Sequence, residues 1–482
     1  MQLSRDDLLA TRLFINGEWQ DGGALIDVYN PATGEVLAQV ADAKLAQVDA
    51  AIAAARRAQK AWQGTTAGER ARLLRRWFEL VMANQDDLAR ILTLEQGKPL
   101  AEAKGEIAYG ASYIEWFSEE ARRIDGDIIA PPSSDKRLLV IKQPVGVVAA
   151  ITPWNFPNAM IARKVAPALA AGCTMVCKPA RETPLSALAL CVLAKEAGIP
   201  AGVFNVVISS DSKAVGKRLT EHEDIRKVTF TGSTAVGKAL LAQCATTCKR
   251  TSMELGGNAP FIVFDDADLD AAVEGALASK YRNSGQTCVC SNRLLVQSGI
   301  YDAFVKKLTE KVAQFSLGDG LDESSSHGPM INPGALETVH ALVQETIDSG
   351  GKLLLGGAPS ELGACFYQPT VLADLTPDMR IFHEEIFGPV ATVFRFEKES
   401  EAVAMANNTQ YGLAAYFYTQ DISRVFRVSE ALEYGMVGIN EGILSNAAAP
   451  FGGVKESGSG REGSKYGIDD YLDIKYLCLG GI

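Results

Sequence analysis

A cysteine follows a glycine-containing turn in residues 284–290 (SGQTCVC). The turn can hold the thiol of Cys288 clear of side-chain packing, where it could act as a nucleophile. Free cysteine has a pKa of about 8.5, so only a few per cent is thiolate at pH 7 unless a helix N-terminus or a cation lowers the pKa. Most of the other cysteines are expected to fill core volume, because free cysteine is among the most buried residue types. The neighbours of Cys288 must therefore decide its role.

Three further segments offer possible partners for that thiol. In residues 152–157 (TPWNFP), prolines stiffen the turn around Asn155 and make it a rigid mount for an amide donor. Residues 253–258 (MELGGN) place Glu254 among apolar and glycine residues, where desolvation raises a carboxyl pKa toward that of a general base. Residues 383–389 (HEEIFGP) form another acidic and aromatic turn. Each segment alone is more often structural.

An anion site is suggested at residues 230–237 (FTGSTAVG), where an apolar run ends in Gly232-Ser233 and a helix follows. Such a turn directs free backbone N–H groups at an anion, and a dinucleotide pyrophosphate would fit. The segment is not a GxGxxG fingerprint, and a simple helix cap is the alternative.

Two cations follow an upstream apolar run, in Lys178-Pro179-Ala180-Arg181. In a dinucleotide site, Lys178 would reach a ribose and Arg181 could pair with a 2′-phosphate. Alternatively, both are solvated loop cations. The residues alone favour neither interpretation.

The composition excludes several classes of protein. The 482 residues allow two or three domains, and the net charge of −11 with a pI near 5.1 argues against nucleic-acid or anionic-membrane partners. Residues 1–15 show no signal peptide or anchor, and the apolar run 165–177 is too short to span a membrane, so a cytoplasmic protein is expected. Nine cysteines without a small-domain pattern fit a reducing compartment. With four histidines, no metal site is expected.

The hydrophobic patterns predict an α/β protein. Residues 14–40 read as antiparallel hairpins, residues 45–120 as helices, and residues 137–143 as an exposed strand suited to an oligomer contact. From residue 145, short β-rich runs alternate with helices, which predicts a parallel sheet with ligands at the carboxyl ends of its strands. The predicted strands are 147–151, 174–177, 203–208 and 228–230, followed in a second unit by 261–264, 294–297, 353–355, 391–396, 414–418 and 437–439. Predicted helices of that second unit are 268–280, 301–313, 337–347 and 422–432, and the strand-like tail 470–482 could add to another subunit's sheet.

Taken together, the motifs resemble those of the aldehyde dehydrogenase superfamily. PWNFP, KP, FTGS, ELGG, GQTC, EEIFGP and PFGGVK occur in the family order over nearly the whole chain. The resemblance implies a Rossmann-like dinucleotide-binding domain (1–124 and 144–252) and an α/β catalytic domain (253–446). It also implies a small β oligomerisation element (125–143 and 470–482), and hence a homo-oligomer, either dimer or tetramer.

The resemblance also implies roles for the matching residues. The Cys288 thiolate would attack an aldehyde to form a thiohemiacetal, and the amide of Asn155 would stabilise the oxyanion. After hydride transfer to a nicotinamide, Glu254 would activate water to hydrolyse the thioester. Glu385 would hold the nicotinamide ribose, with Phe387 packed beside it. The implied cofactor-binding set comprises Pro153, Trp154, Lys178, Pro179, Ala180, Arg181, Gly216, Gly232, Ser233, Leu255, Glu385 and Phe387.

A finer resemblance, to the succinate-semialdehyde dehydrogenase subfamily, concerns the substrate. Arg163, Arg282 and Ser445 match its carboxylate-binding positions, which implies an ω-carboxylated aldehyde as the small-molecule partner. Two arginines suit a carboxylate because each presents paired donors. A surface or domain-interface ion pair is the alternative for each arginine. Glutarate semialdehyde is one methylene longer, a difference worth only about 1–3 kcal/mol in binding.

Two residues depart from the family patterns or leave a choice open. At one position, NAD-using members of the family carry an acid and bacterial NADP-using members carry a small residue. This chain has Arg181 there. We expect NADP to be preferred, with NAD possible, because a cation favours the 2′-phosphate. Cys290 could close an inhibitory disulfide with Cys288, or it could be an inert neighbour.

The sequence supports two rival classes of function less well than a dehydrogenase. A cofactor-free thiol hydrolase or acyltransferase would need a histidine base that no motif supplies. A non-catalytic protein of the same fold is disfavoured by the presence of Cys288, Glu254 and Asn155 together.

Overall fold

A computed structural model describes residues 3–363 and 365–482. Met1 and Gln2 of the predicted cofactor domain, and Ala364 of the predicted catalytic domain, lie outside the described residues. The strands are Leu13–Ile15 (β1), Glu18–Gln20 (β2), Ala24–Tyr29 (β3), Val36–Asp42 (β4), Asp127–Ile129 (β5), Lys136–Pro144 (β6), Val147–Ile151 (β7), Thr174–Lys178 (β8), Phe204–Val206 (β9), Ile225–Thr231 (β10), Arg250–Glu254 (β11), Ala259–Val263 (β12), Ser291–Gln297 (β13), Lys352–Leu355 (β14), Thr370–Leu375 (β15), Val390–Phe396 (β16), Ala414–Tyr418 (β17), Met436–Ile439 (β18), Gly458–Ser459 (β19) and Leu472–Gly480 (β20).

The helices complete the element order. They are Leu45–Gln63 (α1), Ala67–Ala83 (α2), Gln85–Gln96 (α3), Leu100–Glu120 (α4), Ala159–Ala171 (α5), Pro184–Ala197 (α6), Ser212–Glu221 (α7), Thr234–Ala245 (α8), Leu269–Tyr281 (α9), Ser298–Val312 (α10), Pro333–Asp348 (α11), Arg380–His383 (α12), Glu399–Asn407 (α13), Ile422–Ala431 (α14) and Ser464–Gly467 (α15).

The first sheet has eight strands in the order β19-β11-β10-β7-β8-β9-β1-β2. Its five central strands, β11 to β9 in that order, are parallel. Strands β19 and β1 pair antiparallel with β11 and β9 at the two sides, and β2 pairs antiparallel with β1. Strand β7 (VVAAI) and strand β8 are almost fully buried, as expected of parallel strands covered by helices on both faces. Because parallel strands end at one edge, the segments after β7, β8, β10 and β11 meet there.

The second sheet has seven strands in the order β14-β15-β16-β13-β12-β17-β18, all parallel except the edge strand β14. The parallel α/β architecture predicted from the sequence is confirmed in both units. Strand β11 belongs to the first sheet, where it pairs with β10 along its whole length. The domain boundaries themselves stay a prediction.

A three-stranded antiparallel sheet, β20-β6-β5, contains the strand that was predicted at residues 137–143 and the strand formed by the C-terminal tail. Strand β20 pairs with β6 of its own chain over nine residues, and the addition of the tail to another subunit's sheet stays a prediction. The apolar side chains of Ile128 and Ile474 on this sheet are 84% and 73% exposed.

Some element predictions were wrong in detail. The run 203–208 contains only the three-residue strand β9, because its flanking residues form loop hydrogen bonds instead. Strands β11 and β15 and helix α13 were not predicted. Strand β11 (RTSME) is half polar, so its hydrophobic pattern carries little signal.

Candidate active site

The loop of residues 282–290 carries the predicted nucleophile, Cys288, and is called the nucleophile loop below. It connects α9 to β13 and has an unusual backbone. Asn283, Ser284 and Gly285 all have positive φ, at 52°, 52° and 75°. A left-handed conformation costs a residue with a side chain about 1–2 kcal/mol. Contacts hold the loop in place: the Asn283 N–H donates to Glu102 at 2.8 Å, and the Ser284 hydroxyl donates to the Gly328 carbonyl at 2.8 Å. The predicted glycine-containing turn is therefore a strained, externally supported loop that presents Cys288.

Asn155 reaches this loop from the carboxyl end of β7. Its side-chain amide donates to the carbonyl oxygen of Gln286 at 3.0 Å, two residues before Cys288. One amide hydrogen remains for another acceptor. The structure therefore brings the predicted oxyanion donor to the loop that carries the predicted nucleophile.

Glu254 ends β11, and its carboxylate is buried. Among the described residues neither of its oxygens has a hydrogen-bond partner. Burial and the carboxylate of Glu462 raise the pKa of Glu254 well above its ordinary value, while Arg163, Lys164 and Arg461 oppose the rise. A buried carboxylate with a raised pKa and free oxygens is suited to accept a proton near neutral pH.

Glu462, which the sequence analysis did not single out, anchors the cations around Glu254. It forms ion pairs with the guanidinium of Arg163 and the ammonium of Lys164. Burial works against its ionisation, but these two cations hold the pKa of Glu462 below its usual range. It enters the site from a chain position about 300 residues beyond the two cations, a distance no local pattern could bridge.

The Cys288 side chain is partly exposed, and its resting state is the thiol. Burial raises the pKa of Cys288 to about 12, the carboxylates of Glu385 and Glu254 add to the rise, and Arg163 opposes it. A proton acceptor is needed before the sulfur can attack. Glu385 and Glu254 are the two carboxylates whose charges act on Cys288.

The predicted phosphate turn lies at the start of α8. Ser233 occupies the N-cap position, but its side chain makes no capping hydrogen bond, so the first N–H groups of α8 lack that partner. Gly237 packs on Leu255, and Gly216 of α7 packs beside α8. A twelve-residue helix with uncapped N–H groups at the carboxyl edge of a parallel sheet fits a dinucleotide phosphate.

Two aromatic rings face each other across the crevice between the sheets. The rings of Trp154 and Phe387 meet edge to face, with centroids 5.5 Å apart. Nearby, Glu385 accepts a hydrogen bond from the Gly257 N–H at 3.0 Å, and burial raises the pKa of Glu385 to about 7. Pro153 precedes Trp154 in the same turn. The Trp154 and Phe387 rings thus bring the segment after β7 against the segment that contains Glu385.

The segment after β8 holds the two predicted cations in different surroundings. Lys178 is buried, and burial lowers its pKa. Pro179 and Ala180 lead on to Arg181, whose side chain is 56% exposed and pairs with Glu182 at 3.3 Å. Arg181 is therefore accessible to a ligand from solvent.

A cavity of about 600 Å³ opens beside the nucleophile loop. It contains two of the three predicted substrate residues, Arg282 and Ser445. The Arg282 guanidinium lies 4.8 Å from the ring centroid of Phe156, and across residues 3–363 and 365–482 it forms no ion pair. The other lining residues are Glu102, Gly105, Glu106, Tyr109, Phe156, Glu274, Leu277, Ala278, Tyr281, Phe315, His327 and Ile443.

Arg163, the third predicted substrate residue, does not line this cavity. Its side chain is 1% exposed and forms a buried ion pair with Glu462. It also lies over the ring of Phe451, 4.0 Å from the centroid. Its role as a substrate ligand stays a prediction.

His327 lines the cavity but was not singled out from the sequence. Burial lowers the pKa of His327 to about 4, so the imidazole is neutral at physiological pH. It packs on Phe315 and contacts the hydroxyl of Ser326 at 2.9 Å. An isolated histidine outside any motif gives no sequence signal of such a position.

Cys290 has its own partner in the structure. Its thiol donates to the Lys280 carbonyl at 2.9 Å, and both Cys288 and Cys290 are free. A disulfide between them stays a prediction.

The described part of the chain has neither a grouped set of metal ligands nor a membrane-spanning helix. No three His, Cys, Asp or Glu side chains there are grouped to hold a metal ion. No helix there has the length and apolar character to cross a membrane.

The fold has two parallel α/β units, and the loop that carries Cys288 lies beside the amide of Asn155. This arrangement is typical of oxidoreductases that use a nucleotide cofactor and a cysteine. The Aldehyde dehydrogenase family model matches residues 19–477, and the chain belongs to that family.

Among its relatives, a glutarate-semialdehyde dehydrogenase from Pseudomonas aeruginosa is 59% identical, with 100% of each chain covered. A succinate-semialdehyde dehydrogenase [NADP(+)] from Escherichia coli is also 59% identical, again with 100% of each chain covered. The crystal structure of a succinate-semialdehyde dehydrogenase from Burkholderia pseudomallei, 57% identical, superposes with a TM-score of 0.98 and covers 100% of both chains. The predicted family and fold are thus confirmed.

Proposed function

We propose that this chain oxidises an ω-carboxylated aldehyde to the carboxylic acid, with succinate semialdehyde as the main substrate and glutarate semialdehyde as the alternative. The observation that carries the proposal is Arg282, whose guanidinium lies in a cavity beside the Cys288 loop and has no ion-pair partner among the described residues. The names of the two relatives support the same substrate class.

The carboxylates lining the cavity do not cancel that cation. Glu106 is paired with Lys98 at 2.6 Å, and Glu274 is paired with Lys311 at 2.8 Å. Burial raises the pKa of Glu102, which favours its neutral form. Arg282 is therefore free to bind a substrate carboxylate, with the Ser445 hydroxyl as a further donor.

The proposed chemistry uses the residues described above. Glu254 accepts the thiol proton of Cys288, and the sulfur adds to the aldehyde carbon. The Asn155 amide and the Cys288 N–H donate to the resulting oxyanion. NADP, or NAD, supplies the hydride acceptor when bound. Glu254 releases that first proton to solvent and, again a carboxylate, removes a proton from the water that hydrolyses the thioester on Cys288.

The cofactor-binding set is proposed on the same basis. Lys178 would contact the adenosine ribose, and Arg181 would contact its 2′-phosphate. The N-terminus of α8 would bind the pyrophosphate, and Glu385 would bind the nicotinamide ribose.

We further propose a cytoplasmic homo-oligomer. The apolar side chains exposed on the β20-β6-β5 sheet support an oligomer contact, and nine free cysteines support a reducing compartment.

Initial rates at 340 nm with succinate semialdehyde, glutarate semialdehyde and butanal test the substrate class. We expect Arg282→Leu to lower kcat/KM for both carboxylated aldehydes about 10–100-fold, because a hydrogen bond to a charged group contributes about 1.5–3 kcal/mol. Turnover of butanal should change little. Arg76→Leu, on the exposed face of α2, is the matched control, and Cys288→Ala should abolish all oxidation.

Two results would count against the proposal. Equal or better turnover of butanal by the wild-type enzyme would remove the carboxylate requirement. An equal loss for butanal and the semialdehydes in Arg282→Leu would show that Arg282 supports the loop rather than the substrate.

A further inference from the structure

Three ionisable residues spaced four apart, Lys98, Glu102 and Glu106, lie behind the proposed active site. Lys98 precedes α4, and the two glutamates occupy its first two turns. A spacing of four places Glu102 and Glu106 on one face of the helix. The Lys98 and Glu106 side chains are each 1% exposed and form an ion pair at 2.6 Å.

The Lys98 ammonium contacts the backbone of the proposed oxyanion donor. It donates to the Asn155 carbonyl oxygen at 2.8 Å, and the Asn283 side-chain amide donates to the same oxygen at 3.0 Å. The ammonium also lies over the ring of Phe156, 3.8 Å from the centroid. The main chain at Asn155 is therefore fixed from two sides.

The two glutamates hold the chain segments on either side of that contact. Glu106 accepts the N–H groups of Asn158 and Ala159, at 2.9 Å and 3.2 Å, where α5 begins. Glu102 accepts the N–H of Asn283 at 2.8 Å in the strained nucleophile loop. One helix end thus contacts both the amide segment and the cysteine loop.

We propose that Lys98, Glu102 and Glu106 are positioning residues that set the Asn155 amide relative to the Cys288 sulfur. The inference rests on the proposed function, in which that amide stabilises an oxyanion. Replacing a buried ion pair by uncharged residues is often neutral for stability, so folding alone does not require this pair. A displacement of about 1 Å at a catalytic group can cost about 10²-fold in rate.

The test compares reactions of Cys288 that do and do not form an oxyanion. Aldehyde oxidation and cofactor-free hydrolysis of p-nitrophenyl acetate form one, whereas alkylation by iodoacetamide is a displacement at carbon and does not. In the Lys98→Met/Glu106→Gln double variant we expect kcat for oxidation and for ester hydrolysis to fall about 100-fold. KM for the aldehyde and the alkylation rate should stay within about threefold.

Lys227→Met is the matched control, because Lys227 is a buried lysine that bonds Ser252 and makes no contact with Asn155. It should leave the ratio of ester hydrolysis to alkylation unchanged. Unchanged ester hydrolysis in the double variant, or a loss shared equally with alkylation, would overturn the positioning role.

A second pair of variants decides the case if the double variant does not fold. Glu102→Gln keeps an oxygen acceptor for the Asn283 N–H and should keep ester hydrolysis near the wild-type rate, whereas Glu102→Ala should lose about 10–100-fold. Equal rates for the two variants would overturn the proposal. If the wild-type enzyme hydrolyses the ester but oxidises none of the aldehydes, the proposed function is refuted. The positioning role is then not refuted by that result.

Discussion

Gly257 lies so close to Cys288 that a Cβ atom at Gly257 would stand 2.3 Å from the Cys288 carbonyl oxygen. A Cβ atom at the preceding Gly256 would stand 2.8 Å from a carboxylate oxygen of Glu385, the end of a side chain that can move. The turn that follows Glu254 therefore packs directly on the backbone of Cys288, the proposed nucleophile, and on Glu385, the proposed ribose ligand.

Replacing Gly257 by alanine should displace the Cys288 backbone. We expect Gly257→Ala to lower kcat for aldehyde oxidation about 100-fold or more, because the backbone oxygen cannot yield as a flexible side chain would. Gly68→Ala is the control: that glycine lies in α2, and the nearest atom to its Cβ would be 3.9 Å away. Steady-state kinetics and thermal unfolding of both variants check the prediction, and wild-type activity in Gly257→Ala would contradict it.

The sequence predicted the parts of the site that depend on local pattern. Asn155 follows a visible apolar run and Cys288 a visible glycine-containing turn, whereas Glu254 ends a half-polar strand and is marked only by the two glycines that follow it. Parallel strand order then explains why segments distant in sequence share one edge of a sheet.

The remaining features depend on long-range packing that no local pattern encodes. The ELGG motif shows two glycines, but only the fold shows that Gly257 meets Cys288. Arg163 matches a substrate-binding motif, yet its partner Glu462 lies near the other end of the chain. Lys98 looks like an ordinary helix-start cation, and only the structure places its ammonium on Asn155.

The reactivity of Cys288 should depend steeply on pH. Because burial raises its pKa to about 12, the thiolate fraction grows about tenfold per pH unit below that value, and iodoacetamide alkylation should rise through pH 10 without a plateau. Glu385→Gln removes a charge that disfavours the thiolate, so alkylation at pH 8 should become severalfold faster. Glu384→Gln, at the exposed neighbouring residue, should leave the profile unchanged. A plateau near pH 8 would contradict the prediction.

Glu462 should control the pH at which Glu254 becomes a base. The Glu462 carboxylate raises the pKa of Glu254, so Glu462→Gln should lower that pKa and move the acid limb of the kcat–pH profile to lower pH. The same change leaves Arg163 and Lys164 buried without their partner, at a cost to the free energy of unfolding of about 3–5 kcal/mol. Glu79→Gln on the surface should shift neither quantity. An acid limb that moves to higher pH would contradict the predicted sign.

Arg181 should select between the two nicotinamide cofactors. Its side chain is 56% exposed and held only by Glu182 among the described residues, so it is free to pair with a 2′-phosphate. Arg181→Ala should lower kcat/KM with NADP about 10–100-fold, since one hydrogen bond to a charged group contributes about 1.5–3 kcal/mol, and should change kcat/KM with NAD little. Arg72→Ala, at an exposed arginine on α2, is the matched control. Equal losses with NADP and NAD would assign Arg181 to the fold of the loop rather than to the phosphate, and no loss with either would remove it from the cofactor site.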